Sequence, residues 1–226
     1  KDDAYIVAPD DETRFAISVD YKTGYVHLYD CSQVPKGGYA KEISDNWAIA
    51  RTSPESEGDT YIVIGKYKKG VKPLKGKDYD RKAFYKSISW GLADMTGKEV
   101  LQCQYDSVHI TGVIGNCAMI CKDGKWGKID GQLKTVIPIG YEWLGGGYYD
   151  VDSSILTHFV PPDGRHKVGL MADGSCKILI PADYDRIMPV GGTGNVVIDK
   201  DGNKSRVWIV KKDDKYGLLT TNNSVK

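Results

Sequence analysis

Residues 121–131 read CKDGKWGKIDG, and this stretch decides the fold. Asp123-Gly124 separates two short runs, and Asp-Gly between extended runs favours a two-residue type I′ turn, because both central residues of that turn need a positive φ. A second turn, rich in Asp and Gly, follows a few residues later. The stretch therefore predicts antiparallel strands joined by tight turns.

The same pattern recurs along the chain. It consists of a large residue followed by Gly, two or three mostly apolar residues, a polar turn, an apolar strand often ending in Ile-Pro, and a Tyr. Four segments carry it, 90–108, 126–144, 168–187 and 216–226, and the last contains only its beginning. The positions that define this repeat signature are Trp90, Gly91, Tyr105, Trp126, Gly127, Pro138, Tyr141, Gly169, Pro181, Tyr184, Tyr216 and Gly217.

The signature residues have physical reasons to recur. A glycine inside a strand marks a bulge or a close approach of another backbone segment, and a neighbouring aromatic ring can cover the gap. A proline cannot donate a ladder hydrogen bond, so Pro138 and Pro181 are expected at a strand end or on an edge strand. These residues are therefore interpreted as structural.

The pattern resembles the WG-repeat family, also called KWG repeats, a bacterial family of β repeats. The resemblance is strongest over residues 83–226 and weaker over 15–82. Trp occupies the signature place at Trp90 and Trp126, whereas Val168 and Tyr216 stand there in the other two segments. The resemblance implies an all-β repeat architecture, usually without catalysis, and it carries over no functional residues.

We predict an all-β protein of stacked antiparallel β-hairpin repeats in a solenoid-like array, with a propeller-like ring as the alternative. Each unit is expected to have two or three strands and to bury its apolar face against its neighbours. Residues 1–82 are predicted to form a degenerate β-repeat region with a Lys-rich loop, and 83–226 the WG-like region of one continuous body. We expect a degraded hairpin at 15–30 and a short helical turn within 77–85.

Composition excludes some function classes. The 226 residues contain 31 Lys and Arg against 30 Asp and Glu, and this balance argues against a dedicated nucleic-acid binder. No apolar run approaches the roughly 20 residues that span a bilayer, so no membrane insertion is expected. The odd count of five Cys favours an intracellular protein, but a signal peptide removed before Lys1 would leave the same sequence, so the compartment stays open.

The sequence contains no recognisable catalytic set. None of the four histidines has a partner at metal-ligand spacing, and nothing resembles a nucleophile elbow. We therefore predict a protein that is not an enzyme and that has no catalytic residues, metal site or cofactor.

Aromatic residues are concentrated in the segment 141–152, YEWLGGGYYDVD. Gly145–Gly147 predicts a flexible loop between units, and aromatic side chains on such a loop suit protein hot spots and sugar-stacking platforms alike. Trp143 is the residue that the repeat does not require, since Ser107 and Arg186 hold its place in other units. The predicted binding residues are Trp143, Tyr148 and Tyr149.

Two functions follow from these features. The first is a non-catalytic scaffold or interaction module whose partner is another protein, based on the repeat architecture. The alternative is a module that binds carbohydrate or cell-wall polysaccharide, based on the aromatic segment.

Overall fold

The computed structural model of the chain describes residues 15–20, 22–32, 40–51, 61–73, 80–111, 117–149, 155–191, 196–198 and 200–222. It separates into two compact units, Lys1–Gly112 and Val113–Lys226. The predicted boundary between the degenerate repeat region and the WG-like region, at residue 82, is a different division and stays a sequence-based prediction. All pairings given below are antiparallel.

The first unit begins with a sheet in which three strands pair in chain order, β1 (Phe15–Asp20), β2 (Tyr25–Asp30) and β3 (Lys41–Glu42). A second sheet pairs four strands in chain order, β4 (Ile49–Arg51), β5 (Tyr61–Tyr67), β6 (Ile88–Asp94) and β7 (Glu99–Tyr105). Strand β8 (Ser107–Thr111) follows β7. The hairpin predicted at 15–30 is confirmed as β1 and β2.

Helix α1 (Arg81–Ser87) precedes β6 and confirms the predicted helical turn. The Asp80 side chain caps it by accepting a hydrogen bond from the backbone N–H of Ala83 at 2.7 Å. Phe84 is buried beneath the helix, and Ile88 returns the chain to an extended conformation. The helix contacts the second sheet through Phe84, whose ring meets that of Tyr67, and through Tyr85, whose ring stacks on Trp90.

The second unit continues the same plan. Strands β9 (Cys117–Lys122), β10 (Lys125–Ile129) and β11 (Thr135–Tyr141) pair in order. The next sheet pairs β12 (Trp143–Tyr149), β13 (Ile155–Val160), β14 (Val168–Ala172) and β15 (Ile178–Tyr184). In the last sheet β18 (Lys204–Lys212) pairs with β16 (Arg186–Pro189) and β17 (Val196–Ile198) on one side and with β19 (Lys215–Asn222) on the other.

The predicted all-β repeat architecture is confirmed, and over the described residues each sheet is open. Apolar clusters between neighbouring sheets hold each unit together. In the first unit Trp47 and Leu28 are fully buried in such a cluster. In the second, Trp208 and Leu170 lie in one cluster, and Ile137 and Met171 lie in another. These clusters bury apolar side chains of neighbouring sheets against one another, as the repeat pattern requires.

Two expectations about the repeat were wrong. Units of two or three strands were expected, but the sheets contain up to four. The additional strand begins two residues after the signature Tyr and belongs to the next sheet. The clearest case is β12, which pairs with β13 and includes Gly145–Gly147, where a flexible loop was predicted. A shift in register between Gly145 and Tyr148 marks a bulge in this strand. Glycines are common at bulges, so a run of glycines is compatible with a strand as well as with a loop.

The tight turn predicted at Asp123-Gly124 is confirmed. Asp123 and Gly124 have φ of 52° and 70°, and Lys122 pairs with Lys125 across them. Asp213 and Asp214 form the same two-residue turn between Lys212 and Lys215, with φ of 49° and 61°.

Candidate binding surface

The repeat signature corresponds to one strand-pairing geometry, found three times. The residue before each signature glycine pairs with the signature tyrosine: Trp90 with Tyr105, Trp126 with Tyr141, and Val168 with Tyr184. The residue after each glycine pairs four positions before that tyrosine: Leu92 with Leu101, Lys128 with Ile137, and Leu170 with Ile180. The outer strand therefore carries two extra residues opposite each glycine, which is a bulge.

The glycine makes room for that bulge. A Cβ placed on Gly127 would lie 2.9 Å from the carbonyl oxygen of Ile137, and one on Gly169 would lie 2.9 Å from that of Ile180. The carbonyl oxygen of Leu101 approaches Gly91 in the same way and still more closely. The backbone oxygen cannot rotate away as a side chain can, so a larger residue at any of these positions would force the backbone to shift.

The prolines lie in the bulged segment of an edge strand. Pro138 is within β11 and Pro181 within β15, and each strand is the outermost member of its sheet. An edge strand tolerates a residue without a backbone N–H. This agrees with the expected placement on an edge, and the strands continue past the prolines to Tyr141 and Tyr184.

Trp90 is enclosed by its own unit. Only 4% of the residue is exposed. Its ring stacks on that of Tyr85 with centroids 5.9 Å apart, and the Arg51 guanidinium lies 4.9 Å from the Trp90 ring centroid. The signature tryptophan is therefore a packing residue and is unavailable to a ligand.

The last repeat differs from the others, because β19 has an open edge. Its Tyr216 and Gly217 pair with Lys211 and Val210 of β18, just as Trp126 and Gly127 pair with Cys121 and Ile120. On the other side of β19, no described strand takes the place that β7, β11 and β15 hold beside β6, β10 and β14. A Cβ on Gly217 would meet no atom closer than Val210 Cγ2 at 3.7 Å.

The face of the same sheet is also uncovered. Tyr216 is 67% exposed and Leu218 is 68% exposed, whereas the corresponding Leu92 and Leu170 are fully buried. Residues paired directly across an antiparallel ladder share a face, so Ile209 lies beside Leu218, and Met188 lies beside Ile209. We call this set, Tyr216, Leu218, Ile209 and Met188, the end face. Leu219 points the other way and packs against the cluster that contains Trp208.

Two of the three predicted binding residues, Trp143 and Tyr148, have described side chains, and these differ in exposure. Trp143 is 45% exposed, and its ring lies over Gly145, where a Cβ would clash with it. Tyr148 is half-buried and packs edge-on against Trp208, with ring centroids 5.6 Å apart. Tyr149 belongs to β12, but its side chain lies outside the described part of the structure. Of the predicted binding residues whose side chains are described, Trp143 is the more exposed one and is available to a ligand.

A buried ion pair stands where the repeat otherwise has an apolar contact. Lys128 follows its signature glycine, as Leu92 and Leu170 follow theirs. Its Nζ donates to Asp173 Oδ2 at 2.5 Å and to Thr157 Oγ1 at 3.3 Å, and the Lys128 and Asp173 side chains are only 4% and 8% exposed. The pair is sealed from solvent and links β10 to the turn after β14. Sequence comparison of the repeats could have found it, since a lysine replaces a core leucine.

A histidine is buried on the other face of β13. His158 contacts the rings of Tyr148 and Trp208, and its Nε2 has no hydrogen-bond partner within the described residues. Burial lowers the pKa of His158 to about 4. The imidazole is therefore neutral near pH 7 and acts as part of the core.

A polar cleft of about 410 Å³ lies in the first unit, beside the turn between β1 and β2. It is lined by Asp20, Thr23, Tyr25, Val26, His27, Glu42, Ser44, Asp45 and Asn46. Hydrogen bonds from Thr23 and from the Lys22 backbone hold the pKa of Asp20 below its usual value. Hydrogen bonds from His27 and Ser44 do the same for Glu42.

These groups are already bound to one another. His27 Nδ1 lies 2.6 Å from Glu42 Oε1, and Asp45 accepts from Lys66 at 3.3 Å. In the described part of the chain, no three His, Cys, Asp or Glu side chains are placed to hold a metal ion. The cleft therefore offers weaker support for a function than the end face does.

None of the described residues forms a helix long and apolar enough to cross a membrane. No curated protein and no solved structure matches the chain. The sequence model of the family described as the WG containing repeat matches residues 90–126, from the signature tryptophan of β6 to that of β10. Residues 90–126 therefore match a WG repeat, which confirms the resemblance over this segment.

Proposed function

We propose that this chain is a non-catalytic protein-binding module and that the end face is its contact surface. One observation carries the proposal: Tyr216 and Leu218 are mostly exposed although Leu92, Leu170 and Trp90, at equivalent repeat positions, are buried. Contiguous exposed apolar side chains are characteristic of interaction sites.

The end face has the composition of a binding centre. Tyrosine is among the residues enriched in interface hot spots, and burial of a leucine side chain is worth about 1.5–3 kcal/mol. Arg186 and Lys211 pair with each other across β16 and β18, so they lie on the same face, where Asp214 already binds the Lys211 ammonium at 2.7 Å. The apolar side chains therefore define the partner, and a protein with an apolar contact surface fits the end face best.

Carbohydrate binding remains the alternative because Trp143 is exposed. A single indole ring can stack on a sugar, but Tyr148, the second aromatic of the predicted platform, packs against Trp208. Trp143→Ala is therefore the variant that separates the two functions.

The test is affinity capture from the source cells, followed by purification of each captured protein and titration by calorimetry. Leu218→Asp should abolish binding of a true partner, whereas Ile178→Asp should not. Ile178 is the matched control, because it is 57% exposed and lies on β15, which contributes no residue to the end face. Equal binding by both variants would overturn the proposal, and polysaccharide binding lost in Trp143→Ala would support the alternative.

A further inference from the structure

Helix α1 and the chain beside it carry a group of exposed cations. Arg81, Lys82 and Lys86 are exposed on the helix itself. The backbone N–H of Lys68 donates to the carbonyl oxygen of Ser87 at 2.8 Å, so the turn after β5 meets the end of the helix. We call the exposed cations on and beside the helix the basic surface: Arg51, Arg81, Lys82, Lys86, Lys68 and Lys69.

The charge of the basic surface is not neutralised within the described part of the chain. None of its six side chains forms an ion pair with a described carboxylate, and the Asp80 carboxylate beside Arg81 caps the helix. Cations of the second unit show the contrast, since Arg165 binds Asp183 and Lys167 binds Asp185. The whole chain has 31 Lys and Arg against 30 Asp and Glu, so the basic surface is a local excess of positive charge.

Arg51 is held in one orientation although it is exposed. Its guanidinium lies 4.9 Å from the Trp90 ring centroid and 5.5 Å from that of Tyr85, and the two rings stack on each other. Its Nη2 also donates to the Tyr85 hydroxyl at 2.7 Å. The hydroxyl takes one N–H donor, and the other in-plane donors of the guanidinium remain available. Arg51 is therefore preorganised to donate paired hydrogen bonds to a carboxylate.

A second guanidinium approaches the same tyrosine. That of Arg81 lies 5.7 Å from the Tyr85 ring centroid, so both arginines are held beside one ring. Two positive charges held close together repel each other, and an anion bound between them relieves that repulsion. Arginine clusters of this kind recognise acidic motifs in proteins.

We propose that the basic surface binds an acidic segment of a partner protein. One carboxylate of the segment binds Arg51 and Arg81, and the carboxylates that follow it bind the lysines of the helix. Helix α1 has seven residues and is about 10 Å long, so an extended run of about four acidic residues spans it. Complementary charge of this kind supplies specificity and a fast association rate.

A nucleic acid fits the basic surface less well. Binding of single strands depends on aromatic faces on which bases stack. Here Trp90 is buried, and Tyr85 is half-buried with two guanidinium groups beside its ring. The near-neutral charge of the whole chain also lacks the general attraction that phosphate backbones require.

This inference goes beyond the proposed function, because it adds a second surface and a different partner chemistry. The basic surface lies on the first unit and shares no residue with the end face, which lies on the second. Leu218→Asp should therefore bind an acidic probe as the parent chain does.

The probe is fluorescein-labelled octaglutamate, titrated against the full chain by fluorescence anisotropy at about 50 mM salt, where screening is weak. Binding should be saturable, and labelled octaserine should not bind. Arg51→Gln and Arg81→Gln should each weaken octaglutamate binding about fivefold or more, since each removes a charged donor pair. Arg51→Lys keeps the charge but loses the planar fork, so it should weaken binding about threefold.

Arg165→Gln is the matched control. It removes the same charge from an exposed arginine that already binds Asp163 and Asp183, so its affinity should stay within about twofold of the parent chain. Circular dichroism checks the fold of each variant. The double variant Lys82→Gln/Lys86→Gln changes exposed helix positions without touching Trp90, so it keeps the test valid if Arg51→Gln disturbs packing. It should weaken binding about fivefold.

Three results would overturn the proposal. The first is absence of saturable octaglutamate binding, and the second is an equal loss in Arg51→Gln and Arg165→Gln. The third is tighter binding of octathymidylate than of octaglutamate, lost in Arg51→Gln, which would assign the surface to nucleic acid.

The two proposals fail separately. If octaglutamate does not bind while Leu218→Asp still abolishes binding of a captured partner, the basic surface is wrong and the end face stands. If Leu218→Asp has no effect on a captured partner while Arg51→Gln weakens octaglutamate binding, the proposed function of the end face fails and the basic surface stands.

Discussion

The carbonyl oxygen of Ile137 lies 2.9 Å from the point that a Cβ on Gly127 would occupy. Gly217, at the same repeat position, has open space at that point. We therefore expect Gly127→Ala to lower the free energy of unfolding by about 1–3 kcal/mol, as overpacking against a fixed backbone does. Gly217→Ala should leave it unchanged or raise it by about 0.5 kcal/mol. Urea denaturation of both variants measures this difference, and equal effects would show that the close approach does not explain the glycine.

The buried pair Lys128–Asp173 should show strong coupling. Removing one partner leaves the other charge buried, so Lys128→Met and Asp173→Asn should each cost about 3–5 kcal/mol of unfolding free energy. The double variant should cost less than the sum of the two, by about 2 kcal/mol or more. A double-mutant cycle by urea denaturation measures the coupling, and strictly additive costs would mean that the pair is not formed in solution.

The buried His158 predicts a loss of stability in mild acid. Its pKa is lowered from 6.5 to about 4 by burial, so between those pH values the unfolded chain binds a proton that the folded chain does not. The contribution of the neutral His158 to the free energy of unfolding should be fully present above pH 6.5. The free energy of unfolding should then fall by about 3 kcal/mol as the pH drops to 4.

The control is replacement of the buried ring. His158→Phe should remove this part of the pH dependence, whereas His166→Gln, at an exposed position, should retain it. Denaturation across this pH range provides the measurement. If the slope persists in His158→Phe, another group is responsible.

The turn at Asp213-Asp214 is suboptimal. Both residues have positive φ, as Asp123 and Gly124 do, and glycine accepts that conformation more readily than aspartate does. Asp214→Gly should raise the free energy of unfolding by about 0.5–1 kcal/mol. The exposed contact of Asp214 with Lys211 is lost in this variant, but such surface pairs contribute little.

The reverse change provides the check on that prediction. Gly124→Asp places aspartate in the equivalent turn and should lower stability by a similar amount. Thermal unfolding of the two variants measures both shifts. Shifts of the same sign would show that the turn conformation does not set them.

Local patterns predicted the local structure well. Asp123-Gly124 predicted a hairpin, the stretch 77–85 predicted the short helix, and the spacing of the glycines predicted the repeat. Each of these signals acts within a few residues, so the sequence alone reveals it.

The missed features depend on contacts between sheets. Gly145–Gly147 has the composition of a loop, but β13 supplies a pairing partner that makes it a strand. Lys128 stands at a core leucine position of the repeat, but the structure alone shows that Asp173 is its buried partner. Tyr216 and Leu218 match buried positions in the pattern, and their exposure follows from the absence of a covering strand or sheet among the described residues.

Amide hydrogen exchange on β19 tests the central claim most directly. Antiparallel strands alternate the direction of their N–H groups, so an open edge leaves about half of the β19 amides without a backbone acceptor. We predict fast exchange at alternate residues of Tyr216–Thr221 and slow exchange along β10, which is paired on both sides. Uniform protection of β19 in the free protein would contradict an open edge.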